Sequence, residues 1–580
     1  MSRTTHATSR IDRRTLLLAG GTAVAASAAG WGAGTGPRSA TAAPPAGVHT
    51  ASRRLPGGTN RPVGTGTTLE AASAFPGSTG YRRMRPGPAW PAVVRTDLAD
   101  AGGGRDARRT PLGCFVQFTD LHVVDVQSPL RYEYLRGQTA SAWRPQEALS
   151  VAGAVALVER VNALRGGPNT GLPVSFVMTT GDNTDNNSSI ELDWFLAVMS
   201  GGRITPNSGD PRSYEGVQDS GLELYWHPGS GLRDADKRAG FPRIDGFLDA
   251  ALRTVHSPGL SVPWYSTVGN HDRLPGGCYA AGDPVLAGFV TGSRKLESLP
   301  GPEGAALWKA VRKGRDPQGE IFKDVLRRYA GRMRTVTPDE RRAPYTPKEY
   351  VARHLQERWA GKGPAGHGYT AANLESGRMY YTFAVAEGVV GVSLDTTDAG
   401  GHYEGSLGTA QLRWLERTLE RHADASVIVF SHHTSTTMRN LHPDPARPGE
   451  TRHGGDEVVA LLHEHPCVAA WINGHSHRNR ITPHRHPDAA RSFWEISTAS
   501  HIDDPQLARV VELADNHDGT LSLFTTLIES AAPYRTDFGD LSQTGLAALY
   551  RELAHNAPGA RPGKAGEPGD RNTELLLKKP

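Results

Sequence analysis

The sequence predicts an α/β fold with two packed sheets, and three features carry that expectation. From residue 114 onward, short apolar runs alternate with amphipathic helical patterns. The stretch from about 426 to 529 is dominated by strand-like runs, which favours a second sheet laid on the first. Strand after strand also stops on Gly, Asp, Asn or His, residues that turn a chain sharply or bind metal ions rather than extend a sheet.

In chain order, "CFVQFTD" reads as the first buried strand. A helix is expected near 144–165, where Ala148, Val151, Val155 and Val158 recur at spacings of three and four. "VSFVMTTGD" is the next strand, followed by a helix near 189–200 and then by "VPWYSTVGNHD". "MYYTFAVAEGVVGVSLDTT" reads as two adjacent strands. A helix near 408–422 places Leu412, Leu415 and Leu419 on one face, with Arg413, Glu416 and Arg417 elsewhere. "SVIVFSHH", "VAAWINGHSH", "SFWEISTAS" and two further strands complete the core near 529. Residues 202–258 and 273–375 break this rhythm and are expected as insertions at the rim of a single catalytic domain spanning 111–535. Residues 44–110, rich in Pro, Gly, Arg and Thr, are expected to be extended. Residues 536–580 are expected to form a helix and then a disordered tail.

The composition is globular, with 38% hydrophobic and 21% charged residues. The N-terminus carries Arg13-Arg14 before a short Gly/Ala-rich apolar core, with an Ala-x-Ala site at Ala40-Thr41-Ala42. This layout is that of a cleaved signal peptide over residues 1–43, and the paired arginines resemble the signal read by the twin-arginine translocation (Tat) machinery. The apolar core from Leu16 to Ala29 is too short for a stable transmembrane anchor, so a secreted or cell-surface protein is expected. The formal charge of +4 comes from this segment. Beyond residue 43 there are 59 basic and 59 acidic residues, which leaves no broad nucleic-acid footprint. Cys114, Cys278 and Cys467 match no zinc-site spacing and read as free thiols.

The chemistry lies at the strand ends. Asp120 and His122 stand at positions i and i+2, so on extended chain both side chains reach the same side. By itself this pair could be an ion pair, a turn cap or half of a metal site. Four more strands end in Gly181-Asp182-Asn183, Gly269-Asn270-His271-Asp272, Ser431-His432-His433 and Gly474-His475-Ser476-His477. In α/β sheets ligands gather at the carboxyl ends of strands. Mixed carboxylate, carboxamide and imidazole donors suit Mn, Fe or Zn.

The ordered series D-x-H, G-D, G-N-H-D, H and G-H-x-H resembles the calcineurin-like metallophosphoesterase superfamily, over residues of about 114 to 530. That resemblance implies a four-layer α/β/β/α sandwich and two divalent or mixed-valence transition metal ions. It places Asp120, His122 and His477 on one metal and Asn270, His432 and His475 on the other, with Asp182 bridging. His432 is taken over His433 because the family ligand is the first His after the strand, which leaves His433 behind it. Purple acid phosphatases have D-x-G and G-D-x-x-Y where this chain has His122 and Asp185. The motifs are closer to the cyclic-nucleotide-phosphodiesterase-like branch, whose members are about half this size. "DVQSPLR" and "STASHIDDP" are similar to a long, exported actinobacterial-type subgroup.

Two ions bring four positive charges and the two Asp carboxylates return two negative ones, so the expected centre attracts phosphate and acidifies a bridging water. In-line attack of that hydroxide on a phosphodiester or phosphomonoester is the expected reaction. His271 is the candidate acid for the leaving group, with Asp272 orienting it. Asn183, Arg131, Arg439, His402, His433 and His501 are candidates for contacting substrate or supporting the ligands. The alternatives are a phosphomonoesterase or nucleotidase, and a non-catalytic binding protein on the same fold.

Overall fold

Gly113–Phe118 is buried on both faces, which is why this strand reads as a continuous apolar run rather than an alternation. It is the inner part of Thr110–Phe118, in a computed structural model that describes residues 66–579 apart from 445–446, 559 and 561–562. The expected signal segment, residues 1–43, lies outside the described residues.

Two large sheets form the core. The seven-stranded sheet has the order Ala92–Arg95, Asn572–Lys578, Thr520–Glu529, Leu507–Asp515, Thr110–Phe118, Val177–Thr180, Trp264–Thr267. Its last three strands run parallel. The six-stranded sheet has the order Tyr381–Ala386, Val389–Ser393, Ser426–Phe430, Val468–Asn473, Phe493–Ser497, Arg480–His484, and its four central strands are parallel. The sheets share one apolar cluster. Within it the Phe115 and Phe430 rings lie 5.7 Å apart, Phe176 and Phe383 5.5 Å, and Tyr265 and Phe383 4.2 Å. Helix Ser150–Ala163 buries its apolar face against the first sheet and against helix Gln543–Asn556. Helices Thr409–Arg421 and Gly455–Glu464 cover the second, burying Leu415, Leu419, Val458 and Leu462.

Three expectations need correction. The C-terminal residues are not a disordered tail, because Asn572–Lys578 is a strand between Ala92–Arg95 and Thr520–Glu529. Leu575, Leu576 and Leu577 are at most 1% exposed, and Glu574 pairs with Arg105 and Arg109, so this short segment is anchored by burial and charge. The Pro/Gly-rich approach to it masks the strand in the composition. Second, insertion 202–258 does not reach the rim. Its Tyr214, Trp226 and Phe247 join Trp143 and Leu149 in a separate apolar cluster that supports the loop after the first strand. Only insertion 273–375 reaches the cavity described below. Third, Asp272 does not orient the His271 ring, as shown by its hydrogen bonds below. All three cysteines are free, and among the described residues no helix is long and apolar enough to cross a membrane.

Candidate metal centre

The parallel strands of both sheets release their chains toward one point. Asp120 and His122 follow strand Thr110–Phe118, Asp182 follows Val177–Thr180, and Asn270 opens the short helix after Trp264–Thr267. His432 follows Ser426–Phe430, and His475 and His477 follow Val468–Asn473. Strand ends alone would not bring seven side chains together; tight turns do. Asp120, His122, Asp182, His475 and His477 have φ between 43° and 60°, a left-handed backbone that costs roughly 1–2 kcal/mol per non-glycine residue. Two glycines permit the close approach. A Cβ on Gly269 would lie 2.2 Å from Asp182 Oδ1, and one on Gly474 would lie 1.9 Å from Thr119 Oγ1.

The donor atoms cluster tightly. His477 Nε2 lies 3.1 Å from Asp120 Oδ1. Asp182 Oδ2 stands 3.6 Å from His122 Nε2 and 3.1 Å from His432 Nε2, so one carboxylate oxygen faces both halves of the group. His432 Nε2 is also 3.1 Å from Asn270 Oδ1 and from His475 Nδ1. Asp120, His122 and His477 form one set of converging donors; Asp120, Asp182 and His432 form another.

The outward edge of each ring fixes which nitrogen faces inward. His432 Nδ1 donates to the Thr180 carbonyl at 2.9 Å, leaving the Nε2 lone pair for the centre. His122 Nδ1 donates to Asp185 at 2.8 Å and His477 Nδ1 to Asp503 at 2.7 Å. Asn270 Nδ2 donates to the Gly277 carbonyl at 2.8 Å, which turns its oxygen inward. Asp120 Oδ1 and His122 Nε2 are buried and make no hydrogen bond within the protein. Buried donors and acceptors are seldom left bare. The group therefore fits metal ions, with hard oxygen and borderline imidazole donors suited to transition metals.

Electrostatics points the same way. Burial opposes charge on Asp182, yet the His432 and His271 rings hold its carboxyl well below the usual range. Burial also opposes charge on His432, but Asp182 and then Asp120 outweigh it and raise the ring to about 9. Asp185 and Asp503 are likewise kept ionised against burial, Asp185 chiefly by Arg131 and Asp503 chiefly by Arg144 and Lys564. Each carboxylate is thus held in the form that accepts a proton-bearing Nδ1. Asp503→Asn is expected to weaken metal retention by about 10–100-fold, the usual loss when a ligand's supporting partner is removed. Metal titration of the purified variant, with its circular dichroism unchanged, measures this.

The remaining candidates fall in distinct places. Both nitrogens of His433 are engaged, by Thr396 Oγ1 at 2.8 Å and the Tyr403 carbonyl at 3.0 Å, although its ring lies among the donors of His432 and His475. His271 lies beside the cluster. Its backbone N–H donates to Asp182 Oδ1 at 2.9 Å and its Nδ1 to the Asp185 carbonyl at 2.6 Å. The Asp272 carboxylate instead accepts from the backbone of Asn183, Thr184 and Gly269 and from the Asn183 and Thr184 side chains. It ties two strand ends together and leaves nothing for the His271 ring. Burial and the nearby Asp182 push it up to about 6.

Expected substrate contacts are not found at the cavity. An opening of about 750 Å³ leads to His122, Asp182, Asn270, His271, His475 and His477, but Asn183, Arg131, Arg439, His402, His433 and His501 do not line it. Arg131 is buried and bonds Glu147 at 2.8 Å, with Asp185 at 3.3 Å, so it braces the partner of His122. His501 is sealed beneath the Tyr550 ring, Asn183 is spent on Asp272 and the Thr267 carbonyl, and Arg439 is exposed. The wall is formed by Tyr132, Trp143, Arg144, Trp308, Tyr403 and Lys564. Sequence reasoning passed over these residues, and over Asp185 and Asp503. The acidic positions three residues after Asp182 and in "HIDDP" were the only available signals.

No protein-family model matches the chain. Over 80 residues, 13% of this chain, it is 34% identical to a manganese-dependent ADP-ribose/CDP-alcohol diphosphatase of Xenopus tropicalis. The chain spans about a fifth of that relative's length, 22%. Among solved structures it is similar to a dimetal phosphatase from Danio rerio at 12% identity and a TM-score of 0.34, covering 72% of this chain and 99% of that one. It is also similar to a purple acid phosphatase from yellow lupin (Lupinus luteus) seeds, at 10% identity and a TM-score of 0.29, covering 77% of this chain and 53% of that one.

Proposed function

We infer that this protein is a dinuclear-metal-dependent phosphoesterase. The observation that carries the reading is the Asp182 carboxylate, which stands between two groups of inward-facing donors at the floor of an open cavity. Asp120, His122 and His477 would hold one ion and Asn270, His432 and His475 the other, with Asp182 shared. Two such ions supply Lewis acidity toward a phosphoryl group and lower the pKa of water toward neutrality. Manganese dependence and diphosphate cleavage belong to the frog relative's name; here they guide the choice of metal and substrates to try. The helices flanking each sheet support the four-layer reading of the fold.

The chain's own contribution beyond the ligands is His271. Its Nδ1–H is held by the Asp185 carbonyl and its ring lines the cavity, so Nε2 is the edge that can move a proton at the leaving group. A general acid contributes typically 10²–10⁴-fold, and only where the leaving group needs the proton. His271→Ala is therefore expected to slow alkyl phosphoester hydrolysis by about 10²-fold or more, and nitrophenyl phosphoester hydrolysis far less, with metal content unchanged. The ring also lies within ligating reach of His122 and Asp182. Equal losses on both substrates together with loss of metal would make it a ligand instead.

Export through the twin-arginine route is part of the same proposal, supported by Arg13-Arg14 and by Ala40-Thr41-Ala42. Replacing both arginines by lysine should retain the precursor inside the cell; undiminished protein outside would reject the route.

A further inference from the structure

Two cations in the wall of the cavity share a single counter-charge. Arg144 Nε donates to Asp503 Oδ1 at 2.6 Å, and Lys564 Nζ donates to Asp503 Oδ2 at 2.7 Å. The same Oδ2 also accepts from His477 Nδ1 at 2.7 Å. Two positive charges and a ring N–H therefore draw on one carboxylate. Arg144 Nη1 is buried and has no hydrogen-bond partner among the described residues. Neighbouring acids do not make up the difference. Glu147 accepts from the Arg144 backbone N–H but pairs its carboxylate with Arg131, and Asp504 is bonded to His555 at 2.9 Å. The third cation of the wall, Arg136, differs: it binds both oxygens of Asp236 at 2.7 Å.

A buried donor left bare is costly, and a phosphoryl group offers both the missing charge and several acceptor oxygens. Position gives the ligand its shape. His477 turns Nε2 toward Asp120 on the metal side and Nδ1 toward Asp503 on the other. The two cations thus stand one imidazole ring and one carboxylate away from the donors that would hold a metal, in the wall of the same cavity. An anion at this place and a phosphoryl group at the metals can belong to one compact molecule. Tyr132, Trp308 and Tyr403 line the remaining space and offer ring faces to its organic part. We propose that Arg144 and Lys564 form an anion subsite beside the metal centre, which receives a second phosphoryl group and makes organic diphosphates the favoured substrates. The proposal rests on the phosphoesterase reading above and narrows its substrate class.

Two measurements on the full manganese-loaded protein test it, both with Lys564, the half-buried member of the pair. Lys564→Gln should lower kcat/KM for ADP-ribose by about tenfold or more, the worth of one charged hydrogen bond. It should lower kcat/KM for thymidine 5′-(4-nitrophenyl) phosphate, which has one phosphoryl group, far less. Lys564→Arg, which keeps the charge, should restore most of the loss. The second measurement is calorimetric binding of ethane-1,2-diphosphonate against propylphosphonate, neither of which can be hydrolysed. Wild-type protein should bind the diphosphonate more tightly, and Lys564→Gln should remove that difference. Equal losses on both substrates and both ligands would mean that Lys564 acts only through Asp503 on His477, and overturn the subsite. Undiminished use of ADP-ribose by Lys564→Gln, or no preference for the diphosphonate in wild-type protein, overturns it as well. If no phosphoester or diphosphate is hydrolysed at all, the phosphoesterase reading falls, and the calorimetric comparison still decides whether the subsite exists.

Discussion

Asp182→Ala is expected to remove both metal ions and to lower kcat/KM on the order of 10³-fold or more, because a metal centre supplies several kcal/mol of charge stabilisation and about 1.4 kcal/mol is a factor of ten. The size of the effect follows from position. One oxygen of the Asp182 carboxylate stands 3.6 Å from His122 and 3.1 Å from His432, and its Oδ1 also accepts the His271 backbone N–H. Metal analysis of pure wild-type protein should approach two ions per chain, and that of the variant should approach none. A protein that stays fully active after exhaustive chelation would end the metal-dependent reading. The same assay orders the two neighbouring histidines: His432→Ala should lose metal, whereas His433→Ala, whose ring is occupied by Thr396 and Tyr403, should lose far less.

Removing residues 571–580 is expected to prevent stable folding rather than to trim a loose end. Three leucines of this strand are at most 1% exposed, and each would cost about 2–5 kcal/mol if cut to alanine. Their sum rivals the whole net stability of a typical domain, about 5–15 kcal/mol. Two further contacts go with them: the Trp494 indole donates to the Leu576 carbonyl at 3.0 Å, and Glu574 holds Arg105 and Arg109. Leu575→Ala in the full chain is the milder test, with a clear drop in Tm expected. A truncated protein that remains soluble with unchanged Tm would show that the strand is dispensable.

The two sheets and the converging ligands were legible because they rest on strong, local signals. Apolar runs a few residues long and ending on Asp, Asn or His specify both a buried strand and what waits at its end. The helix expected near 189–200 is found at Ser189–Ser200. What escaped depends on long-range pairing. Asp185 and Asp503 stand 63 and 26 residues from the histidines they orient, and an acid just after Asp182 or in "HIDDP" does not say which ring it will meet. The cavity wall is assembled from Tyr132, Trp308, Tyr403 and Lys564, which share no motif. Asp272 was misassigned because adjacency in sequence suggested a partner, whereas the turn at Gly269 points its carboxylate at backbone amides instead. The final strand was hidden by Pro and Gly on its approach, since composition averaged over 25 residues cannot register seven that pair.

The position of that strand also bears on how the protein is made. Among the described residues, Ala92–Arg95 finds its only strand partner in Asn572–Lys578, which follows it by several hundred residues. The same late segment completes the open side of Thr520–Glu529. Until Asn572–Lys578 has been made, a nascent chain must therefore leave one margin of the large sheet unfinished, with its apolar face and backbone amides uncovered. Closure of this sheet waits on pairing between segments far apart in the sequence, and the incomplete sheet needs protection from aggregation until they have met.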